Sequence, residues 1–486
     1  MAVRRTVPIY QLGDGLPVPM TLHQQNRSRL INRMKSKNNN KPNSYILLKG
    51  GSEMYHGGSD SALIFRQESY FHWTFGVLEP DFYGLIDIDS GKSFLFIPRL
   101  SEVYATFMGE LETVDQIKHK YAVDHVYYVD EIADVLKNLN VSVIHTLYGL
   151  NTDSQNYTIE ASFPGINNFT VDNSVLHNEI TDCRVIKTNQ ELEVLRYANK
   201  ASSKAHREIM RSVHPGMYEY QVESLFLHHC YFHGAMRNVA YSSIGATGCN
   251  CSVLHYGHAG APNDRKIEDG DMCLFDMGGE YYCYVSDITC SFPVNGRFTK
   301  DQRIVYEAVL AASRAVKNAC RPGVSWLDMH CLAERSILTH LKGAGLLRGD
   351  VDKMMAVRLG SIFMPHGLGH LMGIDVHDVG GYIEDAVPRS ELPGLKSLRT
   401  TRILKKNMVL TIEPGCYFIN FLLESAMRNP EHSEFLIIDQ INRFRGFGGV
   451  RIEDDVIITD DGIECMTEVP RTCEEIELWM SGVDYI

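Results

Sequence analysis

The sequence lacks any long apolar run. No stretch approaches the roughly 20 apolar residues that a membrane-spanning helix requires. The N-terminal segment contains Arg4 and Arg5, but no apolar segment follows them as a secretory signal would require. We therefore expect a cytoplasmic protein that has no membrane partner.

Basic residues are in the minority. The chain has 47 Lys and Arg against 60 Asp and Glu, which gives a formal net charge of −13 and a pI of about 5.9. Binding to nucleic acid requires clustered Lys and Arg that neutralise phosphates. We therefore expect no nucleic-acid partner.

Closely spaced cysteine pairs of the zinc-finger type are absent. The twelve cysteines include no Cys-X-X-Cys pair, and none precedes Cys183, so structural zinc of that type is excluded. Cys249 and Cys251 form a Cys-X-Cys that could bind a soft metal. The favoured interpretation is two loop thiols near the active site, and most cysteines should be reduced.

The length of 486 residues predicts roughly two or three domains. We expect an α+β protein with an N-terminal α/β domain at residues 1–185 and a second domain at residues 186–486.

The aromatic run 70–75 is interpreted as core rather than as a surface that reaches a partner's active site. Alternating or apolar runs bounded by turn residues predict N-terminal strands at 44–48, 61–65, 83–88, 93–97 and 142–147.

The second domain contains an internal repeat. Thr188 with Glu191 forms a capping box that predicts a helix, which His214-Pro215-Gly216 ends. Thr299 with Gln302 repeats this pattern, and Arg321-Pro322-Gly323 ends the second helix. A further helix follows each Pro-Gly, and strand-like sequence follows each helix pair. We infer one domain built from two related halves.

Each half carries two carboxylates on apolar strand-like sequence. In the first half, Asp276 ends one predicted strand and Asp287 ends the return strand, predicted at 281–288, so a hairpin would bring them close together. In the second half, Glu413 and Glu453 occupy two further apolar strands. Buried carboxylates that lie close together are costly unless a cation neutralises them.

A Gly-rich segment adds His366, His370 and His377 to these acids. His366 and His370 have the spacing of a helical zinc pair, but Pro365 and Gly367 oppose a helix and no HExxH glutamate is present. A lone acid of this kind is usually a turn or solvated residue. Four carboxylates are too many for one catalytic zinc, which usually takes three protein ligands. The combination of acids and histidine instead indicates two divalent ions.

The order Asp276, Asp287, His370, Glu413, Glu453 resembles the five-ligand pattern of the pita-bread metallopeptidases. The stretch HGLGHLMGIDVHD resembles the signature of their prolidase and aminopeptidase P branch, and phrases such as CLFDMGGEYYC and RFRGFGGVRIE resemble eukaryotic prolidases. The resemblance covers nearly the whole chain. It implies a creatinase-like N-terminal domain, a pita-bread catalytic domain with an internal pseudo-twofold duplication, and a homodimer.

The resemblance implies a role for each ligand. Asp287 and Glu453 are expected to bridge two ions, Asp276 to complete one metal site, and His370 with Glu413 to complete the other. Glu413 is also the expected proton shuttle. The resemblance implies manganese, two ions per subunit, with cobalt or zinc as alternatives.

Further residues resemble those that bind substrate. His255 and His377 are expected to hold the dipeptide and stabilise the oxyanion. Arg399 resembles the arginine that binds the terminal carboxylate, although Arg389 and Arg402 lie near it in the sequence. The expected pocket lining also includes Tyr241, Ile244 and Arg451.

The resemblance therefore implies a cytoplasmic dipeptidase that hydrolyses Xaa-Pro dipeptides through a metal-bridging hydroxide and releases C-terminal proline, as in the turnover of collagen dipeptides. One alternative is an aminopeptidase P that acts on longer peptides. Another is a non-catalytic pita-bread protein that binds peptides, although all five ligand positions hold residues able to bind metal.

Overall fold

The computed structural model describes residues 7–37, 41–383 and 386–484. The chain divides into two compact units, Met1–Leu192 and Glu193–Ile486. Arg4 and Arg5 lie outside the described residues. Among the residues that are described, no helix combines the length and the apolar character needed to cross a membrane.

A mixed six-stranded sheet forms the centre of the first unit. Its middle strands are rich in Leu, Ile and Phe, and Leu47, Leu85, Phe96 and Ile144 are fully buried in the adjoining core. The order across the sheet is His125–Tyr128, Ser93–Ile97, Tyr83–Asp87, Ser44–Lys49, Val143–Thr146 and Val171–Asp172. Four of the strands predicted from the sequence are confirmed there.

The predicted strand at 61–65 is wrong. This segment makes only an isolated bridge between Ala62 and Tyr55, and Leu63 and Ile64 are 40% and 60% exposed. The segment has strand-like composition, but an apolar run becomes a strand only where a partner strand accepts its backbone hydrogen bonds.

The aromatic run of the first unit lies in a buried helix, Ser69–Phe75. The Glu68 side chain accepts a hydrogen bond from the Phe71 N–H, and Gly76 ends the helix in the left-handed region at φ 70°. The interpretation of this run as core is therefore confirmed. The unit's other α-helices are Thr21–Lys37, Ala105–Met108, Val114–Lys120, Ile132–Asn138 and Leu176–Val185, and its short 3₁₀ turns are Glu102–Tyr104, Val129–Glu131 and Ile166–Asn168, with a small ribbon of Ile9–Tyr10 and Val18–Pro19.

Two long helix pairs mark the internal repeat. The helices are Asn189–Ser212 and Glu219–Gly234 in the first half, and Lys300–Ala319 and Trp326–Gly343 in the second. Both predicted capping boxes are present. Thr188 and Glu191 exchange backbone-to-side-chain hydrogen bonds of 2.8 and 3.2 Å, and Thr299 and Gln302 do so at 2.9 and 3.3 Å.

Antiparallel sheets complete each half. The first half has a sheet ordered Ile244–Thr247, Met272–Asp276, Thr289–Pro293 and a ribbon of Tyr284–Val285, Gly279–Tyr281, Asn238–Val239; the second has Val409–Ile412, Asp454–Ile458, Ile463–Cys465 and the pair Gly415–Tyr417, Gly449–Arg451. Shorter helices are Val351–Ala356, Gly360–Phe363, Asn420–Arg428, Pro430–Ser433, Ile438–Arg443 and Cys473–Met480, with 3₁₀ turns Gly248–Ser252 and Leu395–Ser397.

The return strand predicted at 281–288 is displaced. Tyr282 and Cys283 adopt positive φ angles of 50° and 62° and form a turn. The later strand that returns alongside Met272–Asp276 is Thr289–Pro293 instead. Asp287 therefore lies two residues before a strand rather than within one.

Candidate metal centre

The first pair of acids lies at one end of an antiparallel strand pair. Asp276 is the last residue of its strand and is directly opposite Thr289, and Asp287 precedes Thr289 by two residues. Both acids are at least nine-tenths buried, with 8% and 5% exposure. The hydroxyl of Tyr241 lies 2.6 Å from Asp276 Oδ1 and 2.5 Å from Asp287 Oδ1.

The second pair repeats this arrangement. Ile412 is directly opposite Asp454 in the register of the strands, so that Glu413, just after Ile412, faces Glu453, just before Asp454. Thr289 donates a 2.6 Å hydrogen bond to Glu453 Oε2, which links the two halves. The internal repeat thus directs four carboxylates toward one region.

His370 lies against these acids on a Gly-rich segment. Its backbone N–H donates to Thr411 Oγ1 at 3.1 Å, and its Nδ1 is 3.1 Å from the Leu371 carbonyl oxygen. Its Nε2 is 3.3 Å from Asp287 Oδ2 and 3.6 Å from Glu413 Oε1. A Cβ at Gly369 would lie 2.0 Å from the Thr411 carbonyl oxygen, so only glycine allows this approach.

These side chains have the donor set of a divalent metal site. Asp287, His370 and Glu453 each offer a ligand atom, and the three atoms lie within 4.8 Å of one another. Asp276 and Glu413 line the same cavity, whose volume is about 490 Å³. Four carboxylates with one imidazole fit hard or borderline divalent ions.

The electrostatics favour a cation. Burial raises the pKa of Asp287 well above its ordinary value, and the charge of Asp276 raises it further. Burial likewise raises the pKa of Glu453, with further contributions from Asp287 and Glu413. The pKa of Glu413 is raised to about 7, chiefly by burial, against the lowering influence of His370 and Arg451. A divalent ion would allow all these groups to ionise together.

Arg451 partly compensates this negative charge. Its guanidinium donates to Asp276 Oδ2 at 2.5 Å, to Thr289 Oγ1 at 3.0 Å and to the Tyr417 hydroxyl at 2.9 Å. Sequence reasoning placed Arg451 in the lining of the pocket. The geometry shows that it also holds Asp276 in place.

The residues expected to bind substrate line the same cavity: Tyr241, Ile244, His255, His377, Arg399 and Arg451. The rings of His370 and His377 are perpendicular, with centroids 4.5 Å apart. Burial, with His370 and Arg399 nearby, lowers the pKa of His377 to about 2. His377 is therefore neutral at ordinary pH.

The two other candidate arginines have different contacts. Arg389 donates to the Leu398 carbonyl oxygen at 2.7 Å, and Arg402 donates to the Gly380 carbonyl oxygen at 2.5 Å. Neither belongs to the cavity lining, whereas Arg399 does. The geometry therefore favours Arg399 over Arg389 and Arg402.

Sequence reasoning missed several supporting residues. Arg471 donates to the carbonyl oxygens of Thr289 and Glu453 at 2.8 and 2.5 Å and to Asp454 Oδ1 at 2.7 Å. Asp455 Oδ2 accepts the Asp287 N–H at 2.8 Å. Two adjacent aspartates at the head of an apolar strand, Asp454-Asp455-Val-Ile-Ile, are a signal that such partners exist.

The Cys-X-Cys lies in the 3₁₀ turn Gly248–Ser252. Cys249 is exposed, whereas Cys251 is buried and lies 3.3 Å from the Met272 carbonyl oxygen. Burial raises the pKa of the Cys251 thiol well above its ordinary value. Cys251 is therefore a protonated thiol buried beneath this turn, whereas Cys249 is an exposed thiol, and neither lines the cavity of the candidate metal centre.

Known protein families match most of the chain. The profile of Metallopeptidase family M24 matches residues 193–460, and that of the aminopeptidase P N-terminal domain matches residues 23–148. The chain is 57% identical to the Xaa-Pro dipeptidase of Homo sapiens over 99% of its length and 97% of the relative's, and 57% identical to that of Rattus norvegicus over 98% and 97%. A probable Xaa-Pro aminopeptidase of Verticillium alfalfae is 34% identical over 90% of the chain and 93% of the relative.

Solved structures are also similar. The aminopeptidase PepP of Pseudomonas aeruginosa is 30% identical and covers 96% of this chain and 98% of its own, with a TM-score of 0.76. A zinc-substituted aminopeptidase P of Escherichia coli in complex with product is 31% identical and covers 96% and 99%, also with a TM-score of 0.76.

Proposed function

Because this chain belongs to metallopeptidase family M24, we propose that it is a metal-dependent dipeptidase that hydrolyses Xaa-Pro dipeptides and releases C-terminal proline. The observation that carries the proposal is that all five candidate ligands line a single cavity together with Arg399. The 57% identity to Xaa-Pro dipeptidases over nearly the whole chain supports the choice of substrate.

The five ligands are proposed to hold two ions. Asp287 and Glu453 would be shared between the ions, Asp276 would complete one site, and His370 with Glu413 the other. Manganese is the proposed metal, since oxygen-rich sites with one imidazole suit it. When bound, the ions supply an activated water and a Lewis acid for the scissile carbonyl.

The protein's own groups are proposed to move protons and orient the peptide. Glu413 takes a proton at its carboxylate and later delivers it to the leaving imino nitrogen. His255 and His377 donate hydrogen bonds to the carbonyl oxygen as charge develops on it; His377 does so as a neutral imidazole.

Arg399 is proposed to set the length of the substrate. Its guanidinium can bind the carboxylate of a dipeptide with two parallel hydrogen bonds. A longer peptide would place an amide at that position, and its terminal carboxylate would lie farther along. This feature favours a dipeptidase over an aminopeptidase that acts on longer peptides.

Hydrolysis of a peptide panel tests the proposal. Gly-Pro should be cleaved and Gly-Pro-Xaa tripeptides should not, with activity lost to a chelator and restored by manganese. Asp276→Asn should abolish turnover, whereas Asp460→Asn should leave it unchanged, because Asp460 is exposed and pairs only with Lys406 among the described residues. Cleavage of tripeptides at the rate of dipeptides would establish the aminopeptidase alternative, and failure to bind any metal would establish a non-catalytic protein.

Three further properties are part of the proposal. We propose a cytoplasmic location, which the twelve free thiols support because reducing compartments preserve thiols. We propose a homodimer, to be tested by sedimentation equilibrium. We place the domain boundary after residue 185, where helix Leu176–Val185 ends and before helix Asn189–Ser212 begins.

A further inference from the structure

Arg399 lies at the end of residues 393–399, which have little regular structure and are called the Arg399 segment below. Within the described stretch 386–399 the only helical element is the 3₁₀ turn Leu395–Ser397, closed by a hydrogen bond of 3.0 Å from the Leu398 N–H to the Leu395 carbonyl oxygen. A guanidinium that recognises a carboxylate must nevertheless be held in a fixed position, since small displacements of a binding group are costly. The segment that carries Arg399 therefore needs support from elsewhere.

A buried ion pair lies beneath this segment. Arg358 Nη2 donates to Glu334 Oε1 at 2.6 Å, and the two side chains are 12% and 0% exposed. His330 Nε2 lies 3.2 Å from the same carboxylate oxygen. Glu334 belongs to the helix Trp326–Gly343, one of the long helices of the second repeat.

The ion pair is in direct contact with the Arg399 segment. Arg358 Nε donates to the Pro393 carbonyl oxygen at 3.0 Å. A Cβ at Gly394 would lie 2.9 Å from Glu334 Oε1 and 3.1 Å from Arg358 Nη2, so the backbone of Gly394 rests on the pair. Gly394 also has φ +79°, which glycine adopts readily.

Arg358 itself has an unusual backbone conformation. Its φ is +58°, in the left-handed region that costs a non-glycine residue free energy. Such a conformation persists only where surrounding contacts compensate the cost. Here those contacts are the hydrogen bonds to Glu334 and to Pro393.

Short contacts connect the Arg399 segment to the stretch of chain that carries His370. Ser397 Oγ donates to the Pro365 carbonyl oxygen at 3.1 Å. A Cβ at Gly367 would lie 2.9 Å from the Ser397 carbonyl oxygen, so the segment also lies directly against the stretch that leads to His370. A shift at Pro393 and Gly394 would therefore move Arg399 relative to the metal ligands.

We infer that the buried Glu334–Arg358 pair positions Arg399 for the terminal carboxylate of the substrate. The inference rests on the proposed function, in which Arg399 binds that carboxylate. Glu334 and Arg358 are positioning residues, because they act on substrate only through the segment that carries Arg399. Breaking the pair should weaken substrate binding more than it slows turnover.

Steady-state kinetics of Glu334→Gln test the inference. This variant keeps the side-chain volume and removes the charge. With Gly-Pro and saturating manganese, KM should rise about tenfold, the effect of losing one charge-assisted hydrogen bond. The kcat should change by less than about twofold. Inhibition by L-proline, the product that carries the same carboxylate, should weaken in parallel, and the bound manganese should stay unchanged.

The matched control is Arg335→Gln. Arg335 neighbours Glu334 in the sequence and pairs at 2.6 Å with Asp352, but both side chains are exposed. This exposed pair joins the helices Trp326–Gly343 and Val351–Ala356, and among the described residues neither side chain has a hydrogen bond or ion pair to residues 393–399. Its loss should leave KM, kcat and proline inhibition unchanged.

A second pair of variants keeps the test decisive if Glu334→Gln does not fold. Arg358→Lys keeps the charge but removes the separate donors Nε and Nη2 that bond Pro393 and Glu334, and it should also raise KM. In an Arg399→Gln background, Arg358→Lys should add no further rise in KM, because the two residues act in series. Additive effects would overturn the inference.

The remaining outcomes separate the two proposals. If the wild type cleaves Gly-Pro while KM and proline inhibition stay unchanged in both variants, the positioning role is overturned and the proposed function stands. The positioning role is also overturned if kcat and bound manganese fall while KM is constant, since the pair would then be structural only. If the wild type cleaves no Xaa-Pro dipeptide, both proposals fall.

Discussion

Gly369 has no side chain beyond hydrogen, and its neighbours in the metal centre leave no room for a larger one. A Cβ there would meet the Thr411 carbonyl oxygen at 2.0 Å, and the adjacent His370 takes its position from hydrogen bonds to the same strand. The backbone at residue 369 therefore determines where the imidazole lies.

Gly369→Ala should displace His370. We expect the affinity for manganese to fall by about 10- to 100-fold and the free energy of unfolding by about 1–3 kcal/mol. Isothermal titration with manganese and urea unfolding measure these effects. Gly462→Ala is the control, because the nearest atom to its Cβ is 4.0 Å away. Wild-type metal affinity in Gly369→Ala would contradict the prediction.

Tyr241 is the residue whose hydroxyl contacts both aspartates of the first repeat. Tyr241→Phe removes a hydrogen-bond donor from two buried carboxylates, so the metal-free protein should lose about 1–3 kcal/mol of unfolding free energy. The loss should be smaller with manganese bound, since the ions then neutralise the aspartates. Urea unfolding with and without manganese measures the difference; an equal loss under both conditions would show that the hydroxyl does not act through these acids.

At the scale of elements, helices were more predictable than strands. The helices that follow Thr188 and Thr299 begin where the capping boxes predict, because a capping box is a local interaction between residues three apart. The segment 61–65 and the return strand at 281–288 were predicted wrongly. Strand formation depends on a partner far along the chain, and the turn at Tyr282 and Cys283 has positive φ angles that no local signal indicated.

At the candidate site, too, contacts between residues far apart in the sequence could not be predicted, and Arg471 in the C-terminal segment is an example. Arg471 hydrogen-bonds to both repeats, at Thr289 and at Glu453, and it pairs with buried Asp454. Nothing near Arg471 in the sequence reveals these partners. The candidate ligands themselves could be predicted, because a carboxylate within an apolar strand becomes buried, and a buried carboxylate is costly unless a cation neutralises it.

Replacing Arg471 should loosen the strands that carry the acids. Arg471→Met leaves Asp454 with only Lys317 as a described cationic partner, and it leaves two carbonyl oxygens without this donor. We expect a loss of about 3 kcal/mol in unfolding free energy together with weaker manganese binding. Arg443→Met is the control, since that arginine pairs with Asp301 on the surface and should contribute little. Equal stabilities of the two variants in urea would refute the role of Arg471.

At the scale of the whole molecule, the cluster of acids links stability to pH. The pKa of Glu413 is raised from 4.5 to about 7, and the pKa values of Asp287 and Glu453 are also raised. Between pH 4.5 and about 7 the folded protein therefore holds protons that the unfolded chain has released. The contribution of these acids to the stability of the metal-free protein should therefore fall as the pH rises through this window, by up to about 1.4 kcal/mol per pH unit for each such proton. Buried histidines such as His366 and His377, whose pKa values are lowered, contribute in the opposite direction below pH 6.5, so the acids are isolated by comparing metal-free with manganese-loaded protein.

Manganese should reverse this dependence. Because the ions replace those protons, the stabilisation that manganese provides should be larger at about pH 7.5 than at about pH 5.5. Thermal unfolding of chelator-treated and manganese-loaded protein at both pH values measures it. In the double variant Asp287→Asn, Glu453→Gln, the stabilisation that manganese provides should no longer depend on pH. Equal stabilisation at both pH values in the wild type would contradict the linkage.

The two repeats of the second unit occupy one chain, and this would determine how the proposed metal pair is loaded. Each repeat supplies one pair of acids, so separate half-length chains could form the cluster only by meeting in solution. Covalent connection replaces that encounter by an effective local concentration on the order of millimolar. Loading of the proposed metal pair would therefore involve a single protein molecule, and the cluster of acids would persist at dilutions at which an assembly of two half-chains would dissociate.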